Sequence, residues 1–400
     1  MSQISEAVAA QYNRYPYPPQ DEGWDRTEAG DPLVHSPLLW PEGRPRKELN
    51  ILIAGCGTYQ AARFARRNPA SRVLGIDFSE SSIAYQSALK ERYGLKNLDL
   101  RLFDLKRVHE LNESFDLIVS TGVLHHLDDP EEGLRSLSSA LTESGVMVLM
   151  LYASGRRAGV YLLQDAFRRL GVNQDAAGLS FVRGVVGDLP EHHFFKWYER
   201  AAQELKTDAA LVDTLLHPQD RAYSVPQILE FLESNGLHFQ SWLDNFFYHP
   251  DGVFNPNSDL YRRTMQLPLR EQWAVVDNLS LILGRHAFIA TRRDPSLYTI
   301  DFSGVDWPTY IPIKSPGLTM KANGPGQVPR RLARAGTQGE LSIASAMMLD
   351  AVDGRKRIAD IIETVRWPGC APETLRETVR EFFARMWRLG HVMISKAPLR

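Results

Sequence analysis

Cysteine is scarce in this chain: two occur in 400 residues, Cys56 and Cys370, so no disulfide framework is expected. Long apolar runs are missing as well. No stretch of about 18 consecutive apolar residues is present, which argues against a membrane-spanning helix. Met1 to Gln11 lacks a positive stretch followed by an apolar block, so no secretory signal is read there and the expected location is cytoplasmic. A charge excess is also absent. The formal net charge of −2 gives no whole-protein pull toward nucleic acid or an anionic membrane. No internal repeat or low-complexity segment occurs. What is present is ordinary for a globular protein: 44% hydrophobic and 24% charged residues, enough to fill sizeable cores. The length implies about two to three domains.

The informative stretch is Asn50 to Thr58, Asn-Ile-Leu-Ile-Ala-Gly-Cys-Gly-Thr. Its apolar run predicts a parallel strand buried on both faces. Two glycines then let the backbone turn sharply and approach a ligand with no Cβ in the way. Ala61 to Arg67 has helical composition, so strand, turn and helix form the first half of a nucleotide-binding unit. A dinucleotide fingerprint requires a third glycine three residues on, where Gln60 stands, and a P-loop requires a Gly-Lys-Ser/Thr ending that is missing. The turn therefore suits a nucleoside without phosphates.

Strands and helices alternate from there. Arg72–Phe78, Leu98–Phe103, Phe115–Thr121 and Gly145–Tyr152 read as further strands, with helices over Ser81–Tyr93 and Glu131–Leu141. This order implies a parallel sheet with right-handed crossovers. Leu237–Leu243 and His286–Thr291 supply strands six and seven. Ligands on such sheets bind at the carboxyl ends of the strands. Gly55, Cys56, Gly57, Asp77, Asp104, Leu105 and Thr121 all fall there. Asp77 lies 20 residues after Gly57, a distance at which an acid can take a ribose diol. Asp104 is placed to accept from an exocyclic amine of a base.

Gly-Cys-Gly-Thr, then Gly-Ile-Asp-Phe-Ser, Phe-Asp-Leu and Thr-Gly-Val-Leu-His-His-Leu resemble the class I S-adenosylmethionine-dependent methyltransferases. The resemblance covers about Asn50 to Tyr152 and reaches more loosely to Asp294. It implies a seven-stranded Rossmann-like α/β fold whose last strand runs antiparallel, with S-adenosylmethionine as cofactor. By the same resemblance Gly55, Cys56 and Gly57 would cradle the methionine part and Asp77 would hold the ribose hydroxyls. Phe78 would flank the adenine, with Leu105 beside it, Asp104 would meet its amino group, and Thr121 would line the methyl-transfer pocket. The chain departs from the family pattern at Ile53, where an acid is common, and at Tyr59, where a third glycine is common.

The implied organisation is an N-terminal arm over 1–48 and a methyltransferase domain over 49–294. A helical insertion over 171–223 would separate strands five and six. A linker over 295–338, rich in proline and glycine with some extended structure, and a small, mostly helical domain over 339–400 would follow. The arm opens with a short amphipathic helix carrying Ile4, Val8 and Tyr12, then Tyr15-Pro-Tyr-Pro-Pro; it either packs on the domain or closes over a ligand. In the last segment three helical patterns and a strand, His391–Ser395, resemble a winged helix or a PqqD-like peptide-chaperone domain. Its 12 basic and 8 acidic residues over 331–400 are too even to argue for nucleic acid.

Methyl transfer to an oxygen or nitrogen benefits from a base, and His125, after the fourth strand, is the candidate. Tyr15, Tyr17 and Tyr223 are candidates for acceptor contact. His125-His126 and His192-His193 lack a third ligand at useful spacing, so no metal is expected. The partner expected is a methyl acceptor, a peptide or protein side chain first and a small natural product second, with neither nucleic acid nor membrane. A homodimer is left open.

Overall fold

A computed structural model describes residues 3–19, 23–25, 32–322, 330–334, 337–365 and 371–398; Cys370 lies outside them. The chain forms two compact units. One comprises residues 1–31, 46–239 and 277–293, the other 32–45, 240–276 and 294–400.

The main sheet has the strands β1 Asn50–Ala54, β2 Arg72–Asp77, β3 Leu98–Leu102, β4 Phe115–Thr121, β5 Leu141–Ala153, β6 Ala222–Tyr223, β7 His238–Trp242 and β8 Arg285–Thr291, of which β1 to β6 and β8 belong wholly to the first unit. Their order is β3-β2-β1-β4-β5-β8-β7, with β6 paired to the end of β5. β1 pairs in parallel with β2 and β4, and β8 runs antiparallel to β5, as the seventh strand of the expected fold does. Ile51, Leu52, Ile53 and Ala54 are fully buried, which is why this strand reads as a continuous apolar run. The two-residue β6 is too short for the sequence pattern to announce, and β5 begins four residues earlier than expected.

Local signals set the flanking helices. Ser79 caps the helix Glu80–Tyr93 by accepting from Ser82 N–H, and Gly94 closes it in the left-handed region at φ 62°. Ser224 and Gln227 form a capping box at Val225–Glu233. The segment after β5 supplies the helices Ser154–Arg169, Ala176–Asp188, Phe194–Glu199 and Asp208–Leu215. Val160, Leu163, Phe167, Leu179, Val182, Phe195, Leu211, Val212 and Leu215 form its own apolar cluster. The aromatic run around Phe195 is thus a local core in part: Phe195 is fully buried, while Phe194 and Trp197 are exposed.

In the second unit the helices Ile343–Asp350, Ile358–Thr364 and Pro372–Arg388 match the three expected patterns. The stretch read as a linker with some extended structure holds more order than its composition suggests. It carries β9 Ile311–Lys314, β10 Thr319–Lys321 and β11 Arg331–Arg334, and Phe302, Trp307, Tyr310 and Leu332 share one core with the C-terminal helices. Its prolines and glycines mask these widely spaced apolar anchors. β11 pairs with both β10 and β12 Thr337–Glu340, and the last strand, β13 Val392–Ser395, pairs antiparallel with β9.

Candidate active site

The glycine turn is stapled to its neighbour strand: Gly55 N–H and Cys56 N–H both donate to the Ile76 carbonyl, at 2.9 and 3.0 Å. Gly55 has φ +74°, and a Cβ there would stand 2.3 Å from a methyl of Val123. Gly57 has φ +53°, and a Cβ there would stand 2.8 Å from the Tyr17 carbonyl oxygen. Any side chain at either position would be strained and would fill the cradle. Asp77, at the tip of β2, accepts from Gly57 N–H at 2.8 Å and from Ser79 N–H at 2.9 Å. Burial raises its carboxyl above the usual range, against the lowering effect of hydrogen bonds from Ser79, Gly57 and Phe78 N–H.

A pocket opens at these strand tips. It is lined by Ser5, Val8, Gly55, Asp77, Phe78, Phe103, Asp104, Leu105, Lys106, Val123, His126 and Leu127 and encloses about 490 Å³ of non-atom space, part of it open to solvent. Apolar walls with one carboxylate at each of two strand tips suit a flat base and a sugar diol. Asp104 caps the 3₁₀ helix Leu105–Leu111 by accepting from Lys106 N–H at 2.9 Å. Lys106 turns its amine to Asp128 and Glu132, at 3.1 and 2.7 Å.

The expected residues divide. Gly55, Asp77, Phe78, Asp104 and Leu105 come together in the pocket. Cys56 is buried, with its thiol pushed well above its usual pKa by burial and by Asp77, so only its main chain can face a ligand. Gly57 sits under Asp77, and Thr121 Oγ1 accepts from Gln60 Nε2 at 3.0 Å. Tyr15 is turned aside, donating to the Gln174 carbonyl at 3.0 Å. Tyr17 meets the glycine turn through its main chain, and Tyr223 packs on Phe231 with ring centroids 5.6 Å apart. These three tyrosines are not among the residues lining the pocket.

His125 does not fit the role expected of it. It is fully buried, both ring nitrogens lack a hydrogen-bond partner among the described residues, and its ring lies 3.9 Å from that of Tyr152. Burial, then His126 and Arg157, hold its imidazole well below the usual pKa, so it stays neutral. The tight turn Leu124–His126 points the next residue, His126, to the pocket instead.

Sequence reasoning missed Asp213 and His217, and it placed Tyr12 on the arm without a partner. Tyr12 OH donates to Asp213 Oδ1 at 2.7 Å and lies 3.3 Å from His217 Nε2. Tyr152 OH donates to Asp213 Oδ2 at 3.1 Å. His126, Asp213 and His217 are buried with ligating atoms within 4.8 Å of one another, so a third metal-type ligand is present in space although none is near in sequence. An acid and a histidine four residues apart in the apolar run Leu211–Pro218 were the available signal. The loop His217–Arg221 is anchored by Asp220, which pairs with Arg157, both fully buried, and by Arg221, which donates to the Leu127 and Asp128 carbonyls at 3.3 Å. Burial opposes the charge on Arg157, but Asp220 together with Tyr152, Tyr198 and Tyr161 outweighs it and keeps the guanidinium protonated.

Residues 52–147 match the family model described as a methyltransferase domain. An uncharacterized protein of Synechococcus sp. is 29% identical over 293 residues, which is 69% of this chain and 69% of that protein. The malonyl-[acyl-carrier protein] O-methyltransferase of Bacillus cereus is 30% identical over 105 residues, 26% of this chain and 38% of that enzyme. The chain therefore spans well under half the length of this relative of stated activity. The fold is similar to that of PKMT2 from Rickettsia typhi, solved in complex with AdoHcy, with a TM-score of 0.65 at 13% identity over 96% of this chain and 78% of that one. Residues 52–147 thus match a methyltransferase domain, a kind of domain whose cofactor is S-adenosylmethionine, and the fold is Rossmann-like.

Proposed function

We propose that the chain transfers a methyl group to an oxygen or nitrogen nucleophile on a peptide or protein side chain. The observation that carries the reading is the convergence of Gly55, Asp77 and Asp104 on one pocket at three adjacent strand tips. When bound, S-adenosylmethionine supplies an electrophilic methyl on a sulfonium, which departs as a neutral thioether. The Asp77 carboxylate, fixed by two main-chain donors, takes the ribose hydroxyls. Asp104 accepts from the adenine amino group, and Phe78 and Leu105 flank the ring. Gly55 to Gly57 let the main chain approach the methionine part. With Ile53 in place of an acid, that position offers no carboxylate to the ammonium end. Alignment of acceptor and methyl contributes up to about 7–11 kcal/mol.

A macromolecular acceptor is favoured by how much of the chain lies outside the sheet, a four-helix segment after β5 and a second unit with its own core. The test is a lysate incubated with the protein and methyl-labelled S-adenosylmethionine, followed by mass spectrometry. Label in tryptic peptides, absent with Asp77→Ala, is the expected result. Label confined to small molecules would redirect the acceptor class to a natural product, and no label despite calorimetric binding of the cofactor would leave a scaffold role.

A further inference from the structure

The main chain of one residue, Gln219, sets two histidines in opposite tautomers. The Gln219 carbonyl lies 3.0 Å from His126 Nδ1, and the Gln219 N–H donates to His217 Nδ1 at 3.0 Å. A carbonyl only accepts, so His126 carries its proton on Nδ1 and its lone pair on Nε2. An N–H only donates, so His217 Nδ1 holds the lone pair and Nε2 carries the proton. The two rings are stacked, with centroids 3.9 Å apart. His217 Nε2–H then donates to the Tyr12 oxygen, and Tyr12 donates in turn to Asp213.

These assignments decide between two readings of the cluster. Two histidines and a carboxylate are a common metal set. A metal would need a lone pair on the inward nitrogen of each ring, with the outer N–H donating to an oxygen. His126 meets that requirement. His217 does not, because a main-chain N–H occupies the position where an acceptor is required. What the cluster offers is one unprotonated nitrogen, His126 Nε2, beside a chain of donors that ends on a carboxylate. His126 lines the cofactor pocket, and no hydrogen bond to its Nε2 is formed among the described residues.

Building on the methyl-transfer reading, we propose that His126 Nε2 is the general base that takes the acceptor's proton, and that His217, Tyr12 and Asp213 are metal-free positioning residues beside it. The acceptor's lone pair forms the new bond to carbon, and the pair of the broken carbon–sulfur bond stays on sulfur. The acceptor's proton passes to Nε2, so the positive charge moves from sulfonium to imidazolium, near the Asp213 carboxylate. The imidazolium later releases the proton to water. Such a base serves an acceptor that sheds a proton as it is methylated, a neutral amine or a hydroxyl. A carboxylate acceptor, already anionic, would have no use for it.

Three measurements on the full chain test this. Long-range nitrogen–proton NMR with ¹⁵N-histidine, assigned through His126→Gln and His217→Gln, should show Nδ1–H on His126 and Nε2–H on His217; Nε2–H on His126 would overturn the proposal. Calorimetric titration with Zn²⁺ and Mn²⁺ should show no binding that Asp213→Asn abolishes. Micromolar binding lost in that variant would make the cluster a metal site. With the acceptor found by labelling, His126→Gly should lose about 10²–10⁴-fold in kcat, with KM changed less than about 3-fold, and regain activity with added imidazole; retained turnover would refute the base. His126→Gln serves if the glycine variant does not fold, with S-adenosylhomocysteine affinity as the check on folding. If no acceptor is ever labelled, the methyl-transfer reading fails, while the tautomer and metal measurements still decide the structural part.

Discussion

The sheet from β1 to β5 and the segment from Ser154 to Tyr223 build their shares of the site in opposite ways. In the sheet each functional residue ends its own strand, and its place follows from the strand that leads to it. Asp77 needs only β2 and the glycine turn beside it. In the segment after β5 the decisive contacts reach across the sequence. Tyr12 reaches Asp213 across 201 residues of sequence, and His126 reaches Gln219 across 93. The difference teaches that cofactor binding can be held by short-range geometry while acid–base chemistry depends on long-range closure. The two should therefore fail separately.

The largest effect is expected where the closure is anchored. Asp220→Ala would leave the Arg157 charge buried and unpaired, destabilising the fold by about 3–5 kcal/mol, read as a drop in the urea midpoint. Arg157→Met with Asp220→Leu should recover most of that loss, and failure to recover would show that the pair does more than neutralise itself.

Acid should act next. His286 on β8 is held neutral by burial, with its pKa lowered to about 4, whereas an unfolded histidine titrates near 6.5. Between those values the unfolded state binds the extra proton, so stability falls as pH drops from about 6.5 toward 4. His286→Asn should reduce the loss between pH 7 and 5 by up to about 2 kcal/mol in denaturant titrations. An unchanged acid profile would mean that His286 titrates alike in the folded and unfolded states.

Asp77→Ala separates the two regions most directly. It should weaken S-adenosylhomocysteine binding about 10–100-fold, the equivalent of one or two lost charge-assisted hydrogen bonds, while the NMR tautomers of His126 and His217 stay as they are. If both change together, the regions are coupled and the contrast drawn above fails. The smallest effect belongs to Asp104→Ala, which removes a cap worth about 0.5–2 kcal/mol. It should also reduce the preference for an adenine over a hypoxanthine cofactor analogue, measured by competition.

Legibility in the sequence follows the same divide. Ile51 to Ala54, Gly55, Gly57, Asp77 and Asp104 could be read because strand period, glycine and acid at the tip lie within one turn of each other. His125 was favoured over His126 because two adjacent histidines look alike until the 3₁₀ turn assigns one to the interior and one to the pocket. Asp213 and His217 stood in an apolar helical run, where a polar residue reads as an exposed one. Trp307 and Tyr310 were taken for linker because proline and glycine surround them, although they are core.

The contact made by Gln219 has an evolutionary corollary. Both of its bonds to the histidine rings come from the main chain, so almost any amino acid at this position would preserve them. Proline alone, lacking an amide hydrogen, would release one ring and leave the other held. A comparison of related sequences could therefore find this position freely variable even though the direction of proton traffic turns on it.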